Sequence, residues 1–169
     1  QTGNPLKDRI IVVDAGHGGH DPGAGSNGQS EKNITLNVSK KVEAKLKNAG
    51  AKVLMTRSND TYYTLQARTD FAKKNFAEAF VSIHVNAAGF AAKGAEVFYD
   101  SSSNVNAIES RDLASFIQRN IVQKANMSDR GVKNKGFYVI KNNNVAAVLV
   151  ELGFITNSQD YAKLTSEQY

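Results

Sequence analysis

The chain has 169 residues, of which 41% are hydrophobic, and this length suits one compact domain. It contains no cysteine, which excludes disulfides, thiolate nucleophiles and cysteine metal sites, so a bound metal ion would need His, Asp or Glu. Its formal net charge of +5 favours encounters with polyanions but does not choose among them.

Two classes of partner are not expected. The sequence has no apolar run of about 18 residues or more, so we expect no membrane insertion. The lysines at positions 40, 41, 45 and 47 share one predicted helix without interleaved aromatic residues. That arrangement is typical of a solvated face, so we expect no nucleic-acid binding.

The first half of the chain alternates predicted strands with helices. Residues 10–13 are a short apolar run before a glycine-rich loop, which is typical of a strand buried on both faces. Apolar residues at positions 34, 38, 42 and 46 then predict a helix that ends near Gly50. The pattern continues with a strand at residues 52–56, a helix at 65–72 and a strand at 79–83. Such a βαβαβ order implies a largely parallel sheet.

The second half completes the predicted sheet. Residues 94–100 alternate apolar with polar side chains and predict an edge or half-exposed strand. They are followed by a long helix through about residue 125, strands at 137–140 and 146–150, and a short helix at 158–164. We therefore predict a single α/β domain over residues 1–169, with a mostly parallel sheet of about six strands and helices on both faces.

Metal-capable side chains follow three of these strands. His17 lies shortly after the first strand, His84 directly after the third and Glu151 directly after the last. Functional groups of open α/β sheets gather just past the carboxyl ends of the strands, so these residues are expected at one edge. Two imidazoles and one carboxylate are a ligand set that zinc accepts in hydrolytic sites, with the fourth position left to water.

Two carboxylates are candidates for the third ligand. Glu31 begins the first helix and can fold back over His17, but it can equally serve as a favourable charge at the helix N-terminus. Glu151 follows four apolar residues, a setting that raises a carboxyl pKa and suits proton transfer. The residues alone make Glu151 the better general base and leave the third ligand open.

Two more polar residues lie near His17. His20 has glycine neighbours and is interpreted as a solvent-exposed residue outside the site. Asp14 is predicted either to accept a hydrogen bond that orients His17 or to cap the loop. The loop could also suggest a phosphate site, but it lacks the Gly-Lys-Ser/Thr ending and the Gly-x-Gly-x-x-Gly spacing.

Four segments in order resemble the zinc-dependent N-acetylmuramoyl-L-alanine amidases, the family often called amidase type 3. They are Val-Asp-Ala-Gly-His-Gly-Gly from residue 13, Glu-Lys from residue 31, Ser-Ile-His-Val-Asn-Ala from residue 82 and Glu-Leu-Gly-Phe-Ile-Thr-Asn from residue 151. The resemblance implies that one zinc ion binds His17, Glu31 and His84. It also implies that Glu151 is the catalytic carboxylate.

The resemblance also implies a function. It is hydrolysis of the amide bond between N-acetylmuramic acid and L-alanine in peptidoglycan. Asn86, two residues after His84, is expected either to contact the backbone of the stem peptide or to stabilise a turn. We expect an autolysin-like catalytic domain, excised from a larger secreted protein, that acts in the bacterial cell wall as a monomer. Two alternatives are a catalytically silent wall-binding module of the same fold and a zinc peptidase that cuts inside a peptide.

Overall fold

The computed structural model describes residues 3–169. The strands are β1 (Ile10–Ala15), β2 (Gly25–Ser26), β3 (Gln29–Ser30), β4 (Lys52–Met55), β5 (Ala79–Asn86), β6 (Ala95–Tyr99), β7 (Asp129–Asn134) and β8 (Ala146–Phe154). The helices are α1 (Glu31–Asn48), α2 (Leu65–Lys74), α3 (Ala107–Lys124), α4 (Tyr138–Lys141) and α5 (Ser158–Leu164). None of these helices combines the length and hydrophobicity that crossing a bilayer requires.

Six strands form one sheet in the order β4-β1-β5-β8-β6-β7. All neighbouring pairs are parallel except β6 and β8, which are antiparallel. The remaining strands, β2 and β3, form a small hairpin in the loop between β1 and α1. The predicted fold, a mostly parallel α/β sheet, is therefore confirmed.

Alternating side chains of the strands bury two separate apolar clusters. Val13 and Val150 point to the face that also buries residues of α1, α3 and α5. Their neighbours Val12 and Leu149 point to the opposite face, which buries residues of α2 and α4. Helices cover both faces, as continuous apolar strands require.

One predicted strand is wrong. Residues 137–140 were expected to be extended, but Tyr138–Lys141 form the single helical turn α4, which buries Val139 and Ile140. Short apolar runs cannot be assigned by periodicity alone, and these aromatic and β-branched residues favoured the strand. The edge strand β7 was not predicted, because most of its side chains are exposed or polar and it lacks an apolar alternation.

The predicted position of β6 is also wrong. Residues 94–100 were expected at an edge or half exposed, whereas β6 lies between β8 and β7 and its first four residues are buried. Glu96 produced the apparent polar alternation, but its carboxylate is buried beside Lys133 and Arg130. A paired charge can occupy an interior position that an isolated charge cannot.

Candidate metal centre

Three side chains from different elements meet at the carboxyl ends of the central strands. His17 lies in the loop after β1, Glu31 is the first residue of α1, and His84 lies near the end of β5. One carboxylate oxygen of Glu31, Oε2, is 2.8 Å from His17 Nε2 and 3.2 Å from His84 Nδ1. One potential ligand atom from each residue lies within 4.8 Å of the others.

Glycines in the loop allow this close approach. A Cβ at Gly16 would lie 2.5 Å from the ring of His84, and one at Gly23 would lie 2.7 Å from the Glu31 carboxylate. Gly23 also has a φ of +66°, a backbone conformation that glycine adopts without strain. The composition of the loop therefore follows from the packing of the site.

Each of the three residues is oriented by a further hydrogen bond. The backbone N–H groups of Ala24 and Val85 donate to the two oxygens of Glu31. Asp21 Oδ2 lies 2.8 Å from His17 Nδ1, so Nε2 of this ring faces Glu31. Such outer partners fix the ring orientation and tautomer of metal-binding histidines.

Asp14 acts on the other histidine, which differs from both predicted roles. Its Oδ2 accepts a 2.6 Å hydrogen bond from Ser82 Oγ, and this hydroxyl lies 2.9 Å from His84 Nε2. Asp14 therefore orients His84 through Ser82, and the Nδ1 atom of His84 faces Glu31. His17 is oriented by Asp21 and not by Asp14, which had been one of the two roles predicted for Asp14.

Two buried arginines hold the backbone that carries His17. Arg68 donates 2.8 Å hydrogen bonds to Asp14 Oδ1 and to the carbonyl oxygens of Ala15 and His17. Arg57 donates to the carbonyl oxygens of Ala15 and Gly16. His17 has a φ of 65°, which is uncommon for a residue with a side chain. These contacts stabilise that conformation.

Replacing Arg68 with Met should lower the free energy of unfolding by about 3 kcal/mol, because Asp14 would remain buried without its cation. Urea unfolding of the metal-free protein measures this change. Arg9→Met is the matched control, since it breaks a solvent-exposed pair with Glu78 and should leave the midpoint unchanged. Equal stability of Arg68→Met and the original chain would contradict a structural role for this guanidinium.

The charges of the three residues are strongly coupled. Burial disfavours the ionised form of Glu31, but hydrogen bonds from His17 and His84 outweigh it and lower the pKa of Glu31 to about 2. Burial also disfavours protonated His17, but Glu31 and Asp21 outweigh it and raise the pKa of His17 to about 9. The carboxylate therefore favours a positive charge at this position, which a divalent cation can supply in place of the proton.

The metal-free protein should lose stability as the pH rises from about 6.5 to about 9, because folded His17 keeps a proton that the unfolded chain releases. Glu151 adds a loss of the same sign between about 4.5 and about 8, for the same reason. Calorimetric midpoints against pH measure both effects.

Between pH 8 and 9, the loss of stability should come mainly from His17, because Glu151 has a pKa of only about 8. There the decline should become smaller in His17→Ala and persist in His20→Ala, the matched control. Zinc should also reduce it, because the metal replaces the proton on His17. A His17→Ala profile that matches the original chain in this window would contradict the coupling between His17 and Glu31.

Glu151 lies beside this triad without sharing its hydrogen bonds. It pairs with His84 in the register between β8 and β5. Its Oε2 atom is buried and has no hydrogen-bond partner among the described residues. Burial, together with the charges of Glu31 and Glu96, raises the pKa of Glu151 to about 8. The site thus places a carboxyl group that can gain or lose a proton near neutral pH next to the candidate ligands.

Asn86 and His20, two further residues considered in the sequence, do not belong to the converging triad. Asn86 lies on β5 two residues after His84, and its side-chain Nδ2 donates to Glu96. His20 is exposed, as expected, and its ring packs at a tilt against the ring of Tyr62, with 4.2 Å between centroids. His20 is not one of the three residues whose potential ligand atoms converge.

Known proteins share both the sequence and the fold. The sequence model of the N-acetylmuramoyl-L-alanine amidase family, type 3, matches residues 11–169. The chain belongs to this amidase family. Among its relatives, protein YqiI of Bacillus subtilis is 46% identical over 100% of this chain and 81% of its own length. The B. subtilis N-acetylmuramoyl-L-alanine amidase LytC is 42% identical over 100% of this chain, which spans 34% of LytC.

A solved structure gives the same result. The N-acetylmuramoyl-L-alanine amidase of Clostridium difficile 630 superposes with a TM-score of 0.90 at 33% identity, covering 96% of this chain and 89% of that one. The predicted membership of the amidase family is confirmed. The predictions of a zinc ion, of the residues that bind it and of secretion stay predictions.

Sequence reasoning missed several residues that support the amidase site. Asp21 and Ser82 each lie near a predicted ligand, four residues after His17 and two before His84. Alternation along β5 puts Ser82 on the same face as His84, so this partner could have been found. Glu96 carried a weaker signal, a lone carboxylate within an otherwise apolar strand.

Proposed function

We propose that the chain is a zinc-dependent hydrolase that cleaves the amide bond between N-acetylmuramic acid and L-alanine in peptidoglycan. One zinc ion would be held by His17, Glu31 and His84. The observation that carries the proposal is the convergence of these three side chains within 4.8 Å, in a chain of the N-acetylmuramoyl-L-alanine amidase family. Two imidazoles and a carboxylate fit zinc in hydrolytic sites, which keep a fourth position open.

Zinc bound there would polarise the carbonyl oxygen of the scissile amide and make a water molecule easier to deprotonate. Glu151 takes a proton from the attacking water and then delivers it to the nitrogen of L-alanine, so that the amine can leave. Its pKa of about 8 suits both steps near neutral pH. No hydrogen bond from another described group to its Oε2 has to break when the carboxyl group changes its protonation state.

The surroundings support an extended, anionic substrate. Arg130 and Lys133 lie on the edge strand beside Glu96, and Lys135 follows that strand and lies against the Phe137 ring. These cations attract an acidic wall polymer more strongly at low salt than at high salt. We propose that Asn86 contacts the stem peptide, and that residues 1–169 form a monomeric catalytic domain that acts outside the cell, at the wall.

Zinc content and peptidoglycan digestion test this function together. We expect about one zinc per chain, loss of digestion on chelation and recovery with zinc. Mass spectrometry should find intact stem peptides with a free L-alanine amine. Cleavage inside the peptide would indicate the peptidase alternative, and wall binding without metal or products would indicate the silent module.

A further inference from the structure

The side-chain amide of Asn86 is held in one orientation by a carboxylate. Asn86 Nδ2 donates a 2.9 Å hydrogen bond to Glu96 Oε1. Glu96 is only 6% exposed and lies opposite Glu151 in the register between β6 and β8. Because an ionised carboxylate can only accept hydrogen bonds, the nitrogen of Asn86 has to face it, and the oxygen has to face away.

Glu96 is kept ionised by two cations. Its Oε2 atom pairs with Lys133 Nζ and lies 3.5 Å from Arg130 Nε. Burial disfavours the charge, but the hydrogen bonds from Lys133 and Asn86 outweigh it and hold the pKa of Glu96 below its usual value. Arg130 is itself positioned, since its guanidinium lies 4.9 Å from the centroid of the Phe154 ring.

The carbonyl end of Asn86 is therefore available. Asn86 is half-buried, and among the described residues its side chain bonds only to Glu96, through Nδ2. Its Oδ1 is also not one of the buried atoms without a partner, so this oxygen is exposed. Asn86 also shares the strand β5, and the face of that strand, with His84 two residues earlier. An acceptor with a fixed direction thus stands beside the candidate metal ligands.

We propose that Glu96 is a positioning residue: it turns the carbonyl oxygen of Asn86 towards the substrate, where this oxygen accepts a backbone N–H of the stem peptide. The inference rests on the proposed function, because that function supplies the peptide. A peptide chain offers N–H donors at regular intervals, whereas the opposite amide orientation would set donor against donor. Glu96 therefore acts on the substrate only through Asn86.

Glu96→Gln tests the orientation, because the new amide has one oxygen where the carboxylate had two. Arg130 and Lys133 will bind that oxygen, so the amide nitrogen at position 96 will face Asn86 and reverse it. For a soluble N-acetylmuramoyl dipeptide, KM should rise about tenfold while kcat changes little, as expected when binding common to ground and transition states is lost.

The charge-conserving exchange Asn86→Asp with Glu96→Gln should restore most of that loss. The carboxylate at position 86 accepts from the amide at position 96 and still offers an oxygen to the substrate. Asn86→Asp alone should be impaired, because it sets two carboxylates against each other. The matched control is Glu78→Gln, which removes a paired carboxylate near the amino end of β5 and should leave KM unchanged.

A spectroscopic measurement separates this inference from the proposed function. In the ¹⁵N spectrum, one side-chain amide proton of Asn86 should be shifted by its bond to Glu96, and the shift should disappear in Glu96→Gln. An unshifted proton, or an exchange variant no better than Asn86→Asp alone, would overturn the inference. If the original chain with zinc cleaves no muropeptide, the proposed function fails, and the spectrum still decides the orientation.

Discussion

Replacing Glu151 with Gln should lower kcat for peptidoglycan cleavage by about 10²–10⁴-fold and leave the zinc content unchanged. Gln has nearly the same size and can occupy the buried position on β8, but it cannot accept a proton from water or return one to the leaving amine. Turnover of a soluble muropeptide and elemental analysis of the same preparation measure the two quantities.

Although Glu151→Gln should lower kcat, we expect it to increase the thermal stability of the protein at alkaline pH. Glu151 is costly to ionise in the folded chain, because burial and the charges of Glu31 and Glu96 oppose its negative charge. Above about pH 8, Glu151→Gln should therefore unfold at a higher temperature than the original chain. Glu109→Gln, an exposed substitution on α3, is the control for both measurements. Near-normal turnover of Glu151→Gln would show that another group moves the protons.

Replacing Glu31 with Gln should remove zinc and, with it, turnover. An amide oxygen is a weaker ligand than a carboxylate, and Glu31 is the residue whose Oε2 approaches both histidines. Loss of a residue that only hydrogen-bonds to a metal ligand lowers metal affinity by about 10–100-fold. Loss of the ligand itself should lower zinc affinity by more. Competition with a chromogenic chelator measures the affinity.

Glu43→Gln is a matched control on the same helix. Glu43 pairs with Lys47 one turn later and lies outside the site, so this variant should bind zinc normally. Glu31→Gln should also weaken the pH-dependent loss of stability of the metal-free protein between pH 8 and 9, because only Asp21 then remains to raise the pKa of His17. Unchanged zinc affinity in Glu31→Gln would place the metal elsewhere.

The strand-end rule predicted where His84 and Glu151 lie because it depends only on parallel strand direction. β5 and β8 are parallel neighbours, so both residues lie at the same edge. They lie inside these strands and not directly after them as predicted, because β5 continues to Asn86 and β8 to Phe154. The position of Glu31 could not be decided in the same way. Its carboxylate reaches the histidines because the glycine-rich connection between β1 and α1 folds back, so that the backbone N–H of Glu31 bonds to the carbonyl oxygen of Ala24. Gly23 leaves space for the carboxylate.

The strand-end rule could not predict the role of Glu96, because the rule assumes parallel strands. Strand β6 runs antiparallel to β8, so its first residues, not its last, lie at the functional edge. A sequence that implies a mostly parallel sheet does not reveal that β6 and β7 run opposite to the other strands. The error at residues 137–140 had a different origin, since only tertiary packing determines that this short apolar run forms the helical turn α4.

The place of β8 in the sheet has a consequence for synthesis of the chain. This strand is formed by residues 146–154, yet it lies between β5 and β6, which precede it in sequence. Until the ribosome has released it, β5 and β6 each leave one edge of backbone N–H and C=O groups unpaired, and such edges are prone to aggregation. Glu151 arrives with the same strand. The candidate site therefore cannot be completed on a partly made chain, and closure of the sheet and completion of the site become one late folding event.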